Sequence, residues 1–214
     1  MLKLDKHTKL FALLVFLIPV SAFAIINWLE NRYQQLPVLG GTEIVNGKEK
    51  DFTVMGFEFI NQNNKPITES SWDDKIVVVD FFFTHCPSIC PAMTSSMKRV
   101  QESFQNDENI QLASFTVDPE RDNPAQLKAY VKKFSIHEKN WDLLTGKKED
   151  LYRFARKGLF LITTDGDGGD DDFIHSERLV LIDKQKRIRG YYDGTEEKKV
   201  NQLINDIKKL KNEN

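Results

Sequence analysis

Cys86 and Cys90 are the only two cysteines among 214 residues, and they stand four apart in the run Thr84-His85-Cys86-Pro87-Ser88-Ile89-Cys90-Pro91. Two thiols this close serve one site. Two intervening residues would point to a thioredoxin-type redox pair or to half of a zinc cage, but three intervene here and no second cysteine pair completes a zinc site. Thiolates are soft ligands that suit Cu(I), and two thiolates with one imidazole make a trigonal copper site. A metal-free catalytic dithiol is a second chemistry open to the pair. A plain structural disulfide is a third, although a loop of one turn gains little from cross-linking.

The run Ile76-Val77-Val78-Val79-Asp80-Phe81-Phe82-Phe83 is apolar and β-branched enough for a buried central strand, and helix-forming residues follow from Ala92 to Phe104. The thiols therefore fall where a strand turns into a helix. A helix beginning near Pro87 would set Cys86 at its positive end and Cys90 one turn along the same face.

Around this unit the pattern predicts a strand over Phe52 to Ile60 and a turn at Asn61 to Pro66. A second β-rich run spans Ile110 to Val117, and Asn123-Pro124 then caps a helix with Leu127, Tyr130, Val131 and Phe134 on one face. Trp141 to Leu144 reads as a short strand, and a helix through Leu151, Phe154 and Ala155 should stop near Gly158. Arg178 to Asp183 and Ile188 to Tyr192 form a closing hairpin. Val200, Leu203, Ile204, Ile207 and Leu210 mark a last amphipathic helix. A mixed α/β sheet with helices on both faces packs these elements most economically.

Lys3, Lys6 and Lys9 crowd the N-terminus, and the next charge after them is Glu30. The uncharged block from Leu10 to Leu29 is long enough to span a bilayer, with the lysines holding the N-terminus in the cytoplasm. Ala22-Phe23-Ala24 resembles a signal-peptidase site, yet apolar residues continue past it, which favours an uncleaved anchor. A lipoprotein is excluded by the lack of any cysteine near this segment. The expected organisation is a cytoplasmic N-terminus over 1–9, a transmembrane helix over 10–29, a linker over 30–50 and one domain over 51–214. That domain would sit on the extracytoplasmic, periplasmic side of a bacterial membrane. The net charge of −2 and dispersed basic residues exclude a nucleic-acid partner.

A dithiol at a strand-to-helix junction resembles a thioredoxin-like fold, and three motifs resemble the Sco/SenC family in particular. Phe83-Thr84-His85-Cys86-Pro87-Ser88-Ile89-Cys90-Pro91 is similar to its copper-binding signature, and Phe115-Thr116-Val117-Asp118-Pro119-Glu120-Arg121-Asp122 to its second motif. Ile174-His175-Ser176, ahead of Leu179 to Asp183, resembles the segment carrying its third ligand. The resemblance implies that Cys86, Cys90 and His175 bind one copper ion per chain, as Cu(I) or Cu(II). It also implies a chaperone that delivers copper to the binuclear copper A centre of cytochrome c oxidase, or reduces that centre's thiols. Its partners would then be the copper A subunit and other copper or thiol-redox proteins. Ser88 stands where relatives often carry an acidic residue, and Phe82 in a region often occupied by glycine. The alternative is a thiol-disulfide oxidoreductase in which Cys86 attacks and Cys90 resolves, without metal.

No proline follows Pro124, so the proline that ordinary thioredoxins place beside their dithiol is missing, and a histidine occupies that neighbourhood. His85 should point away from Cys86 on an extended segment, His137 should be solvated, and His7 lies on the far side of the anchor. Met93 and Met97 continue the cysteine stripe and are expected in the core rather than on a metal. Asp118, Glu120 and Asp122 could shape the site's mouth, but Asp118 and Asp122 read more simply as turn formers ahead of Pro124. The acidic stretch Asp165 to Asp172 lacks the spacing of a calcium loop. It reads as a solvated loop that could move His175 or face a client protein.

Overall fold

The computed structural model describes residues 6–54, 56–161 and 176–213. His175 and the acidic stretch 165–172 lie outside them. Helix α1 runs Lys6–Gln34 and belongs to a first unit that ends at Leu36. Its described side chains, Lys6 and 13–26, are all exposed, Phe16 and Phe23 among them. Among the described residues no helix is long and apolar enough to cross a membrane. Positions 13–26 rise about 21 Å, against a hydrocarbon core of roughly 30 Å.

The second unit starts at Pro37. Inside the stretch expected as a linker, Leu39 bridges to Ile188, and β1 (Thr42–Val45) pairs with β2 (Lys48–Asp51). Asn46 and Gly47 both take positive φ between them, the conformation that a two-residue hairpin turn requires and Asn-Gly supplies. The expected strand from Phe52 is mostly lost. Phe52 N–H bonds to Gly41 O and Val54 N–H to Lys186 O, at 3.0 and 2.8 Å, so these donors are used outside the main sheet. Only β3 (Glu58–Asn61) remains of it. The expected turn follows, closed by Asn61 N–H on Lys65 O at 2.9 Å, and leads into β4 (Pro66–Thr68).

From there the order is β5 (Ile76–Phe82), α2 (Ile89–Ser103), β6 (Ile110–Thr116), α3 (Pro124–Phe134), β7 (Trp141–Thr145), α4 (Lys148–Arg153), β8 (Arg178–Ile182), β9 (Ile188–Asp193) and α5 (Glu197–Asn212). The described strands other than the β1–β2 hairpin form one sheet in the order β4-β3-β7-β6-β5-β8-β9. β5 is a fully buried interior strand next to the middle strand β6, parallel to β6 and antiparallel to β8. Its β-branched and aromatic residues suit a strand covered on both faces.

Alternation sends Val77, Val79 and Phe81 to one face, where they pack with Phe115, Leu151, Tyr152 and Phe154. On the other face Phe82 meets Tyr130 of α3 with ring centres 5.1 Å apart, and α5 packs along β5, β9 and α2. The mixed sheet flanked by helices matches the expected α/β class. Helix α3 begins as its sequence predicts, with Asn123 Oδ1 accepting the Gln126 N–H at 3.0 Å and Pro124 in the first turn. Helix α4 ends in a π-helical turn, Phe154–Gly158, closed by Leu159 N–H on Phe154 O.

Candidate functional site

Val117 N–H donates to Phe82 O at 2.9 Å, so β5 and β6 end level and release their loops at the same edge of the sheet. Ligands of open α/β sheets gather beyond the carboxyl ends of the strands. Here that place holds both cysteines and the segment Asp118 to Asp122.

The chain leaves β5 through a turn in which Cys86 N–H bonds back to Phe83 O at 3.3 Å. Helix α2 therefore starts at Ile89 rather than near Pro87, with Ser88 as an N-cap whose side chain makes no capping bond. Cys86 lies outside the helix but still at its positive end, and its sulfur accepts the Cys90 N–H at 3.4 Å. Cys90 sits in the first turn of α2, 3% exposed, whereas Cys86 is half-buried; both are free thiols.

Their environments separate the two sulfurs chemically. Partial burial works against the Cys86 thiolate. The backbone N–H groups of Cys90, Ser88 and Ile89, with the Cys90 thiol, outweigh that penalty and hold Cys86 below the ordinary thiol range. Burial pushes Cys90 up to about 12, and the neighbouring Cys86 and Asp80 reinforce the rise. Asp80 itself is 2% exposed in the middle of β5. Burial raises its carboxyl to about 7, even though Ser114 Oγ donates to it at 2.5 Å and Trp141 Nε1 donates in turn to Ser114 Oγ at 2.8 Å.

A cavity of about 80 Å³ beside Cys90 has Phe83, Ile89, Cys90, Met93, Val117 and Ser176 in its lining. Antiparallel pairing of β8 with β5, with Val180 opposite Val79, is what carries Ser176 to this end of the sheet. Among the described residues no group of three or more His, Cys, Asp or Glu side chains is arranged to hold a metal. Met93 and Met97 are buried in the core, as their helical spacing predicts. A larger cleft of about 560 Å³, lined by Phe52, Phe57, Phe59, Phe154 and charged residues, contains neither cysteine nor histidine.

Asp122 departs from the turn-forming role that its spacing suggests. Its backbone does close the turn, N–H to Asp118 O at 2.9 Å, but its side chain is fully buried and reaches the other loop. Asp122 Oδ2 accepts the Thr84 N–H at 3.0 Å and the Thr116 hydroxyl at 2.5 Å, while Oδ1 accepts the Thr84 hydroxyl at 2.5 Å. His85 is 53% exposed, with Nδ1 at 3.0 Å from Thr84 Oγ1 and 3.9 Å from Asp122 Oδ1. His137 is exposed.

Comparison with known proteins places these features in a family context. The SCO1/SenC family model matches residues 45–212. The chain is 32% identical to a SCO1 protein homolog of Bacillus subtilis, covering 74% of this chain and 82% of that one. It is 34% identical to a protein of Stutzerimonas stutzeri that is named for copper binding, over 63% of this chain and 66% of that one. Among solved structures it resembles BsSco, a member of the Sco family of cytochrome c oxidase assembly proteins. That structure gives a TM-score of 0.64 at 32% identity and covers 74% of this chain and 93% of that one.

Proposed function

Because the chain belongs to the SCO1/SenC family, we propose that it is a membrane-tethered copper chaperone, with Cys86, Cys90 and His175 as the ligands of one copper ion. One observation carries the reading: Ser176, next in sequence to His175, lines the same small cavity as Cys90. A ligand set of two thiolates and one imidazole suits Cu(I). Cys86, already biased toward its anion, would bind first. Cys90 would give up its proton to the metal, since a coordinating thiol is deprotonated outright. Copper then leaves by exchange of ligands with a client's own thiols, and the relationship to BsSco makes cytochrome c oxidase assembly the proposed setting.

The uncharged block Leu10 to Leu29, as a helix, rises about 30 Å and so matches the hydrocarbon core. We assign it as the anchor, uncleaved, with residues 1–9 in the cytoplasm and the thiol domain on the opposite side.

The unequal thiols favour a second reading, thiol-disulfide exchange without metal. Cys86 is the better nucleophile and Cys90 the protected resolving partner, and such a protein could reduce a client's copper ligands.

X-ray absorption on the full chain loaded with one equivalent of Cu(I) in detergent tests the proposal. Two sulfurs and one nitrogen around copper, with the nitrogen lost in His175→Ala, are expected. An all-sulfur shell unchanged by that substitution would remove His175 from the site.

A further inference from the structure

We propose that Asp122 is a positioning residue of the dithiol site, a buried carboxylate that fixes through Thr84 the turn from which Cys86 presents its sulfur. The inference rests on the copper reading only for its choice of metal probe. A turn-forming aspartate needs no burial. Asp107 and Asp193 accept the amides of Asn109 and Thr195, two residues on, from positions that are only partly buried. Asp122 instead gives its acceptors to groups outside its own turn, two of them on Thr84, thirty-eight positions earlier in the chain. Among the described residues no lysine or arginine forms an ion pair with it, and the His85 ring stands with Nδ1 3.9 Å from Oδ1. A buried carboxylate without a lysine or arginine is retained only when hydrogen bonds replace its lost hydration. Three such bonds do so here.

The geometry points that cost at the thiols. Thr84 is the second residue of the turn closed by Cys86 N–H on Phe83 O, and both its amide and its hydroxyl are tied to one carboxylate. Cys86 follows two residues on. The Thr84 hydroxyl, having donated its proton to Asp122, can only accept from His85 Nδ1. That fixes the imidazole tautomer, by the hydrogen-bond network rather than by an observed proton. Supporting groups of this kind orient metal ligands, and their loss costs about 10- to 100-fold in metal affinity.

The test compares the full chain in detergent, wild type, Asp122→Asn, Asp122→Ala and Thr84→Val, by Cu(I) competition against a chelator and by hydrogen–deuterium exchange of the segment 84–86. Asp122→Ala and Thr84→Val should weaken Cu(I) binding about 10- to 100-fold and speed exchange at 84–86, with exchange in β5 and β6 unchanged. Asp122→Asn keeps an oxygen for the Thr84 amide and should recover most of both. Wild-type affinity and exchange in Asp122→Ala would overturn the inference. So would losses that follow melting temperature and are not rescued by Asn. If Asp122→Ala does not fold, Thr84→Val and Asp122→Asn decide. A wild-type chain that takes up no copper fails the copper reading, and exchange at 84–86 then judges Asp122 by itself.

Discussion

The Cys90 backbone N–H points at the Cys86 sulfur across 3.4 Å, so one cysteine's amide stabilises the other's anion. The sulfur takes the place that an N-cap side chain would fill, and Ser88 leaves it vacant. A strand-to-helix junction thus holds two unequal thiols, one favoured as the anion and one kept protonated.

That inequality should appear in alkylation. With Cys86 held below the ordinary thiol range and Cys90 raised to about 12, iodoacetamide at pH 7 should label Cys86 well ahead of Cys90 in the reduced, copper-free chain. Peptide mass mapping over time reads the two sites separately. Equal rates would mean that the helix amides do not act on Cys86 as described.

Asp80 should make the fold less stable as pH rises. Below 3.8 the carboxyl is neutral folded and unfolded; between 3.8 and about 7 the unfolded chain gives up the proton while the folded chain keeps it. Stability therefore falls across that window and the loss is complete above it. Asp80→Asn retains an oxygen for the Ser114 hydroxyl and removes the penalty. Urea unfolding should show the variant gaining on wild type between pH 4 and pH 8, by on the order of 4 kcal/mol at the limit. Parallel pH curves for the two chains would contradict this.

Much of the site was readable because its chemistry is carried by rare residues at fixed spacing. The two cysteines, the strand before them and the Asn123-Pro124 helix start are local signals, and the structure repeats them. Asp122 was not readable in the same way. An aspartate four residues after another aspartate and just before a capped helix is what a turn looks like, and only the folded chain brings Thr84 to its side chain. Asp80 did leave a trace, a lone carboxylate in an otherwise apolar run, which already implies a hydrogen-bonded or neutral buried group. The strand over Phe52 to Ile60 failed because Phe52 and Val54 give their amides to Gly41 and Lys186, partners that periodicity does not reveal. The start of α2 was displaced for a similar reason, since the turn at Phe83 to Cys86 had to be completed first.

Met97 separates the core reading of the methionines from a metal-ligand reading. It is fully buried, and Met97→Ala should cost about 2–5 kcal/mol in unfolding free energy while leaving copper stoichiometry at the wild-type value. Loss of copper without loss of stability would make the thioether a ligand.

Copper affinity tests the central claim most directly, measured anaerobically on the reduced full chain in detergent by competition with a Cu(I) chelator, for wild type, Cys86→Ser and His175→Ala. The account predicts one tightly held copper per wild-type chain, sharply weaker binding in His175→Ala and no tight binding in Cys86→Ser. A wild-type chain with no tight copper, or with affinity indifferent to His175, would contradict it and leave the dithiol as a redox pair.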